Sequence, residues 1–266
     1  MIEVYEREGV TCLESTLSRN GRRASSVFLF LVDGMLIDTG PQSIESDLLP
    51  FYRTNKIDMV VLTHSHEDHT GTAQWLQKEQ EIPIYIHPLG ISECQEPCNY
   101  PRYRQESWGV RKQFNPLSLS DRIQSRRDVW EVIHTPGHSD DHVALYHEAT
   151  GRLFSGDLFV TPKPKVMMKS ESVSTIKRSI RSLLQLNFTS MFCSHSGYIK
   201  NGRTMLQEKL DYLETLTENV SKLHDRGDTV AEINEKLFPK KYAIIDVSGG
   251  EWDSLHIISS IINEEL

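Results

Sequence analysis

The chain has 266 residues, 38% of them hydrophobic and 25% charged, with a formal net charge of −8. That length fits one large domain, or one domain with a small appendage, and the acidic balance argues against general nucleic-acid binding, which requires a basic surface. The longest purely apolar stretch, Val27 to Val32, is far too short to cross a bilayer, so no membrane span is expected.

The first eight residues, Met1 to Glu8, show neither the basic nor the apolar region of a leader peptide, and the expected location is cytoplasmic. Cys12, Cys94, Cys98 and Cys193 are scattered apart from one C-x3-C pair. No second Cys/His pair of structural-zinc spacing accompanies it, so four free thiols are expected.

In chain order, Val27–Val32, the dipeptide Asp33-Gly34 and Met35–Ile37 read as two strands joined by a type I′ turn. Met59–Leu62 is a continuous apolar run, suited to a strand buried on both faces. Gly71–Glu79 fits a helix and Ile82–Ile86 the next strand. Val129–His134 and His142–Tyr146 read as strands, the latter turning at Glu148–Gly151 into Arg152–Phe154. A helix over Ser172–Gln185 places Ile176, Ile180, Leu183 and Leu184 on one face, and Met191–Cys193 is a further short strand.

From Gly202 the pattern changes. Arg203–Asp225 has the spacing of a long amphipathic helix, with Leu206, Leu210, Leu213, Leu216 and Val220 separated by threes and fours. Thr229-Val-Ala-Glu232 is a capping-box pattern opening a second helix, and Asp253–Glu264 suggests a third. Strands in two groups, each followed by helices, predict an α+β fold in which sheet packs on sheet over residues 1–205. A helical C-terminal appendage is expected over 206–266. Its apolar stripe must be covered, either by the side of an active-site entrance or by a second copy of the chain in a homodimer.

The chemistry concentrates in Thr63-His64-Ser-His66-Glu-Asp68-His69-Thr-Gly71, directly after a predicted buried strand. Neutral imidazoles and a carboxylate are the ligands that borderline metals favour, and a solvated turn would not require four of them within six residues. Three later segments each place a ligand-type residue just past a predicted strand: Thr135-Pro-Gly-His138, Ser155-Gly-Asp157 and Cys193-Ser-His195. Singly each is weak; in this order after the first cluster they are strong.

This ordered set resembles the metallo-β-lactamase superfamily, whose signature is H-x-H-x-D-H followed by a His, an Asp and a final His. The resemblance covers about residues 20 to 200. It implies an αβ/βα four-layer sandwich with the site at one edge of the two sheets. It also implies that His64, His66 and His138 hold one metal ion, that Asp68, His69 and His195 hold a second, and that Asp157 bridges them. Leu36-Ile-Asp38-Thr-Gly40 is similar to the family's early Asp motif, whose carboxylate supports the metal ligands from behind. His142 is expected to be a structural partner and not a ligand.

Two divalent ions sharing one water lower its pKa toward neutrality, so the expected activity is hydrolysis by a metal-bridging hydroxide, with Asp68 also orienting the nucleophile or accepting its proton. Two zinc ions are expected, with iron or manganese as alternatives. The expected partner is a small-molecule substrate, a thioester, lactone or related carboxylic ester, and no nucleic acid or membrane is expected. Arg102, Arg104, Arg111, Lys163 and Lys165 in two irregular segments, 93–114 and 161–169, would ring the entrance and favour an anionic substrate. The alternatives are a mononuclear iron sulfur dioxygenase of the same fold, a phosphodiesterase or nuclease type, and a binding module that has lost catalysis.

Overall fold

The computed structural model describes residues 2–19 and 22–265. A first sheet takes seven strands in sequence order: β1 (Ile2–Arg7), β2 (Val10–Arg19), β3 (Arg22–Val32), β4 (Met35–Ile37), β5 (Met59–Val61), β6 (Ile84–Ile86) and β7 (Leu117–Ser118). β1 to β4 form an antiparallel meander, and β4 to β7 run parallel. Then come β8 (Arg122–Gln124), β9 (Val129–His134), β10 (Val143–His147) and β11 (Arg152–Phe154). β12 (Met167–Met168) leaves to form a two-stranded ribbon, while β13 (Met191–Cys193) and β14 (Gly197–Ile199) complete a second sheet in the order β14-β13-β11-β10-β9-β8. The ribbon's other strand is β15 (Trp252–Asp253).

Period-two alternation divides the apolar residues among three layers. On β3, Phe28, Phe30 and Val32 point between the sheets, while Val27 and Leu29 point to the outer face of the first sheet. On β10, Val143 and Leu145 face the first sheet while Ala144 and Tyr146 face outward. Strands apolar on both sides must be covered on both sides, which accounts for four layers. Helices α1 (Glu45–Thr54) and α3 (Ala73–Glu79) cover the first sheet through Leu48, Tyr52 and Leu76, with the short α2 (Glu67–Thr70) between them in sequence. Two further short helices follow, α4 (Ile91–Gln95) and α5 (Arg102–Trp108).

Five helices come after the second sheet's first strands: α6 (Val173–Leu183), α7 (Gly202–His224), α8 (Val230–Leu237), α9 (Ala243–Val247) and α10 (Ser254–Glu265). Leu206, Leu210, Leu213, Leu216 and Val220 of α7 are buried in one cluster with Ala144 and Leu153 of the second sheet and Ile180 of α6. The stripe is therefore covered from within the chain, each leucine contributing about 1.5–3 kcal/mol by leaving water. α8 opens with the complete Thr229–Glu232 capping box, and α6 with Ser172, whose hydroxyl accepts from the Thr175 N–H. The Asp33-Gly34 turn has positive φ at both residues, 48° and 79°, as a type I′ hairpin requires.

Several boundaries differ from the sequence reading. The helix expected over Gly71–Glu79 starts at Ala73, after a separate short helix over Glu67–Thr70, and Gly71 between the two lies so close to the backbone of Pro41 and Gln42 that a Cβ there would collide with both. Segments 93–114 and 161–169, read as irregular, contain α4, α5 and β12. β1 and β2 were not anticipated, since polar residues interrupt their apolar ones. No helix among the described residues is long and apolar enough to cross a membrane.

Candidate metal centre

β4 and β5 run side by side in parallel, and the residues just past their ends, Asp38 and Thr63, meet. Asp38, at a φ of 60° and fully buried, accepts hydrogen bonds from the Thr63 N–H (2.8 Å), the Thr63 hydroxyl (2.9 Å) and the Ser194 hydroxyl (3.2 Å). Its Oδ2 also lies 2.8 Å from His69 Nδ1. The sharp turn after β5 then gives way to α2, which carries Asp68 and His69.

The outer nitrogens fix which nitrogen of each ring faces inward. His69 Nδ1–H donates to Asp38, His138 Nδ1–H to Glu171 Oε1 at 2.7 Å, and His195 Nδ1–H to the Ser26 carbonyl at 2.8 Å. Because the Thr63 hydroxyl gives its proton to Asp38, it accepts from His64 Nδ1–H at 3.0 Å. Four rings are thereby left with an Nε2 lone pair toward the interior.

Those lone pairs converge. His66 Nδ1 lies 3.0 Å from both His64 Nε2 and His138 Nε2. Opposite them, Asp157 Oδ2 is 3.0 Å from His195 Nε2, 3.4 Å from His69 Nε2 and 3.5 Å from His138 Nε2, and Asp68 Oδ2 is 3.3 Å from His195 Nε2. Two groups capable of holding a cation result, His64/His66/His138 and Asp68/His69/His195, with Asp157 between them and completing a third group with His64 and His69. The seven residues singled out in the sequence are all brought together.

The donor set fits divalent cations. His69 Nε2 and Asp157 Oδ1 are buried without a hydrogen-bond partner, and buried polar atoms are seldom left so without a reason. A single proton on His66 cannot satisfy both facing nitrogens, whereas a cation among the three would. Burial, reinforced by the neighbouring rings, holds His64 and His66 well below the usual histidine range, in the neutral form a metal requires. For His69 and His195 burial also pushes down, but the carboxylates of Asp157 and Asp68 outweigh it and raise both. Asp68 and Asp157 are pushed up by burial, yet His69 and His195 outweigh that and hold both low.

Support comes from His142, the structural partner expected from the sequence, and from Glu171 and Lys209, which have no local signature. His142 Nε2 accepts the Asp157 N–H at 3.0 Å while its Nδ1–H donates to the Thr135 hydroxyl, so this ring holds the Asp157 backbone, and burial keeps it neutral with a pKa of about 3. Glu171, which fixes His138, also accepts the Met168 N–H. Lys209 donates to the carbonyls of Leu158 and Phe159, directly after Asp157, and burial lowers its pKa to about 8. Glu171 lies 33 residues beyond His138 and Lys209 52 beyond Asp157, separations at which no motif or periodicity operates.

The basic entrance read from the sequence forms only in part: Arg104 and Lys165 line the cavity, whereas Arg102, Arg111 and the exposed Lys163 do not. Arg111 is buried and donates to the carbonyls of Cys94 and Glu93. Arg104 pairs in bidentate fashion with Glu67 (2.6 and 2.7 Å) and reaches Glu251 at 3.1 Å. Lys165 meets the Tyr212 hydroxyl, and Arg102 pairs with Glu106 on the exposed side of α5. Arginines in a segment rich in Tyr and Trp can as well be internal ties, and spacing does not separate the two uses.

The profile of the metallo-beta-lactamase superfamily matches residues 23–212. The chain belongs to that superfamily. Like its relatives in this superfamily it is a metal-dependent hydrolase: it is 26% identical over 261 residues to a Bacillus subtilis protein named "Probable metallo-hydrolase YqjP", covering 81% of this chain and 82% of that one. A hydroxyacylglutathione hydrolase of Hydrogenovibrio crunogenus is 31% identical over 107 residues, which is 40% of this chain and 32% of the relative. A metallo-beta-lactamase family protein from Thermus thermophilus has the same fold, with a TM-score of 0.69 at 21% identity over 97% of this chain and 94% of the other. The superfamily's αβ/βα sandwich is the architecture described above.

Proposed function

We propose that this superfamily member is a dinuclear hydrolase of carboxylic esters in the broad sense: thioesters, lactones and related acyl compounds. The observation that carries the reading is the pair of facing ligand groups with Asp157 between them, beside a cavity whose wall includes His66, Asp68, His138, Asp157 and His195. His64, His66 and His138 would hold one zinc ion, Asp68, His69 and His195 the other, with Asp157 contributing to both. Bound there, the two ions supply an activated water at neutral pH and an electrophile for the substrate carbonyl oxygen.

The chain's own residues do the rest. Asp68 stands on the cavity wall beside His195 and can orient a water or accept its proton. Asp38, Glu171 and the Ser26 carbonyl keep three imidazoles in one tautomer and one direction. In the net reaction the water oxygen bonds to the acyl carbon, that carbon's bond to sulfur or oxygen breaks, and the leaving atom takes up a proton. The local similarity to a hydroxyacylglutathione hydrolase supports the acyl class over phosphodiesters.

Activity of the zinc-loaded protein on acyl thioesters, lactones and phosphodiesters, with and without a chelator, tests this reading. Chelator-sensitive hydrolysis of an acyl substrate is expected. Turnover of phosphodiesters alone, or one iron per chain with oxidation of a persulfide, would replace it.

A further inference from the structure

The cavity that reaches the metal ligands measures about 650 Å3, well inside the usual range of ligand pockets, and its wall away from those ligands is largely apolar; we call that part the arm. Met167, Ile176, Leu213, Ile244, Trp252 and Ile257 line it, one each from β12, α6, α7, α9, β15 and α10. The C-terminal helices therefore supply much of its wall.

Most of the charged groups on that wall are already committed within the protein. Arg104 is held by Glu67 and Glu251 and Lys209 by two backbone carbonyls, while Lys165 has the Tyr212 hydroxyl and lies over the Tyr212 and Phe238 rings. Glu171 accepts from His138 and the Met168 N–H, and Glu106 from Arg102. A sugar, nucleotide or peptide in this arm would bury its own polar groups against apolar walls with few partners, at a cost an apolar ligand avoids. At roughly 30 Å3 per water-sized group the whole cavity holds on the order of 20 such groups, enough for a reacting carbonyl, a leaving group and a chain.

From this we infer that the arm seats the acyl chain of the substrate, a linear hydrocarbon chain of about eight to ten carbons whose carbonyl lies at the metal end. The inference rests on the acyl-hydrolase reading for the position of the carbonyl, while the preference for an apolar chain comes from the arm itself. Burial of each added methylene should strengthen binding, by up to roughly fourfold per methylene.

Two measurements on the full chain separate the two readings. The first is calorimetric binding of linear carboxylates from butanoate to dodecanoate to metal-stripped protein, which needs no turnover. The dissociation constant should fall by twofold to fourfold per methylene and level off near eight to ten carbons. Ile244→Asp, which puts a charge on the half-buried wall contributed by α9, should flatten the series. Should that variant fail to fold, Ile244→Trp should move the plateau to a shorter chain. The second is kcat/KM of the zinc-loaded protein for acetyl and octanoyl thioesters of one thiol, which should favour octanoyl by at least about tenfold. A chain-length-independent dissociation constant with equal turnover of both thioesters would overturn the arm assignment and leave the hydrolase reading standing. Graded binding without hydrolysis of either thioester would support the arm and remove the hydrolase reading.

Discussion

The metal end and the apolar arm of the cavity are assembled in opposite ways. Four of the seven candidate ligands come from six consecutive residues, His64 to His69, on the turn after β5 and the start of α2. The arm's walls come from six elements spread over residues 167–257. At the metal end four of the imidazoles have one permitted direction, fixed by a hydrogen bond behind each. In the arm, position depends on how helices pack over the second sheet. Substitutions at the metal end should therefore act on metal retention and turnover, and those at the arm on stability and selectivity.

The largest expected effect is at the point shared by the two ligand groups. Asp157→Ala should lower kcat/KM by at least about a thousandfold and release at least one metal, because one carboxylate would serve both ions. Elemental analysis beside the kinetic assay checks this. A variant with full activity and full metal content would remove Asp157 from the centre.

Arg104 joins the two regions, tying Glu67 beside the ligand Asp68 to Glu251 at the edge of the arm, where the Tyr103 hydroxyl also donates. Arg104→Ala leaves the buried Glu67 carboxylate alone and should cost roughly 2–4 kcal/mol in denaturant unfolding, the lower end applying because burial already raises Glu67 and it can take up a proton. Adding Glu67→Gln should recover much of the loss. If Arg104→Ala changed neither stability nor kcat/KM, the two regions would be independent.

Asp38 sharpens the comparison within the metal end itself. Asp38→Asn turns an amide toward donors that need an acceptor, and should weaken zinc affinity by about 10–100-fold while leaving the zinc-saturated fold in place. Competition with a chromophoric chelator measures the change, and an unaltered affinity would show that His69 needs no such support.

How legible each region was follows from the same contrast. The candidate ligands lie in short motifs at strand ends, so type and spacing sufficed to single out a set that the fold brings together. The strands around them alternate with period two, and the Asp33-Gly34 turn and Thr229–Glu232 box carry their own local chemistry. The contacts of Glu171 with His138, of Lys209 with the chain after Asp157 and of Arg104 with Glu67 and Glu251 form only after folding, across 33 to 147 residues. α7 was clear from its leucines, but a stripe specifies that something covers it and not that the cover is the second sheet. Arg111, in a run that also supplies Arg104, was misplaced at the entrance because sequence does not show which arginine a fold buries.

A smaller effect marks the seam between the sheets, remote from both regions. Asp33 accepts from the Ser125 hydroxyl and from the Arg127 and Asp128 N–H groups. Burial pushes its pKa up, but these bonds outweigh it and bring it from 3.8 to about 2. The folded value lies below the unfolded one, so the unfolded chain binds more protons between them. The contribution is thus complete above about pH 4 and lost as the pH falls toward 2. Asp33→Asn should cost roughly 1–3 kcal/mol at pH 7 and progressively less below pH 4. A difference from wild type that stayed constant from pH 7 to pH 2.5 would contradict this assignment.

The most direct test of the proposed dinuclear centre is titration of zinc into metal-stripped protein, following bound metal and acyl-thioester hydrolysis together. Binding should saturate at about two ions per chain in wild type and at about one in His195→Ala, with wild-type activity rising through the second equivalent. Saturation at one ion per chain with full activity, unchanged in His195→Ala, would contradict a centre built from both ligand groups.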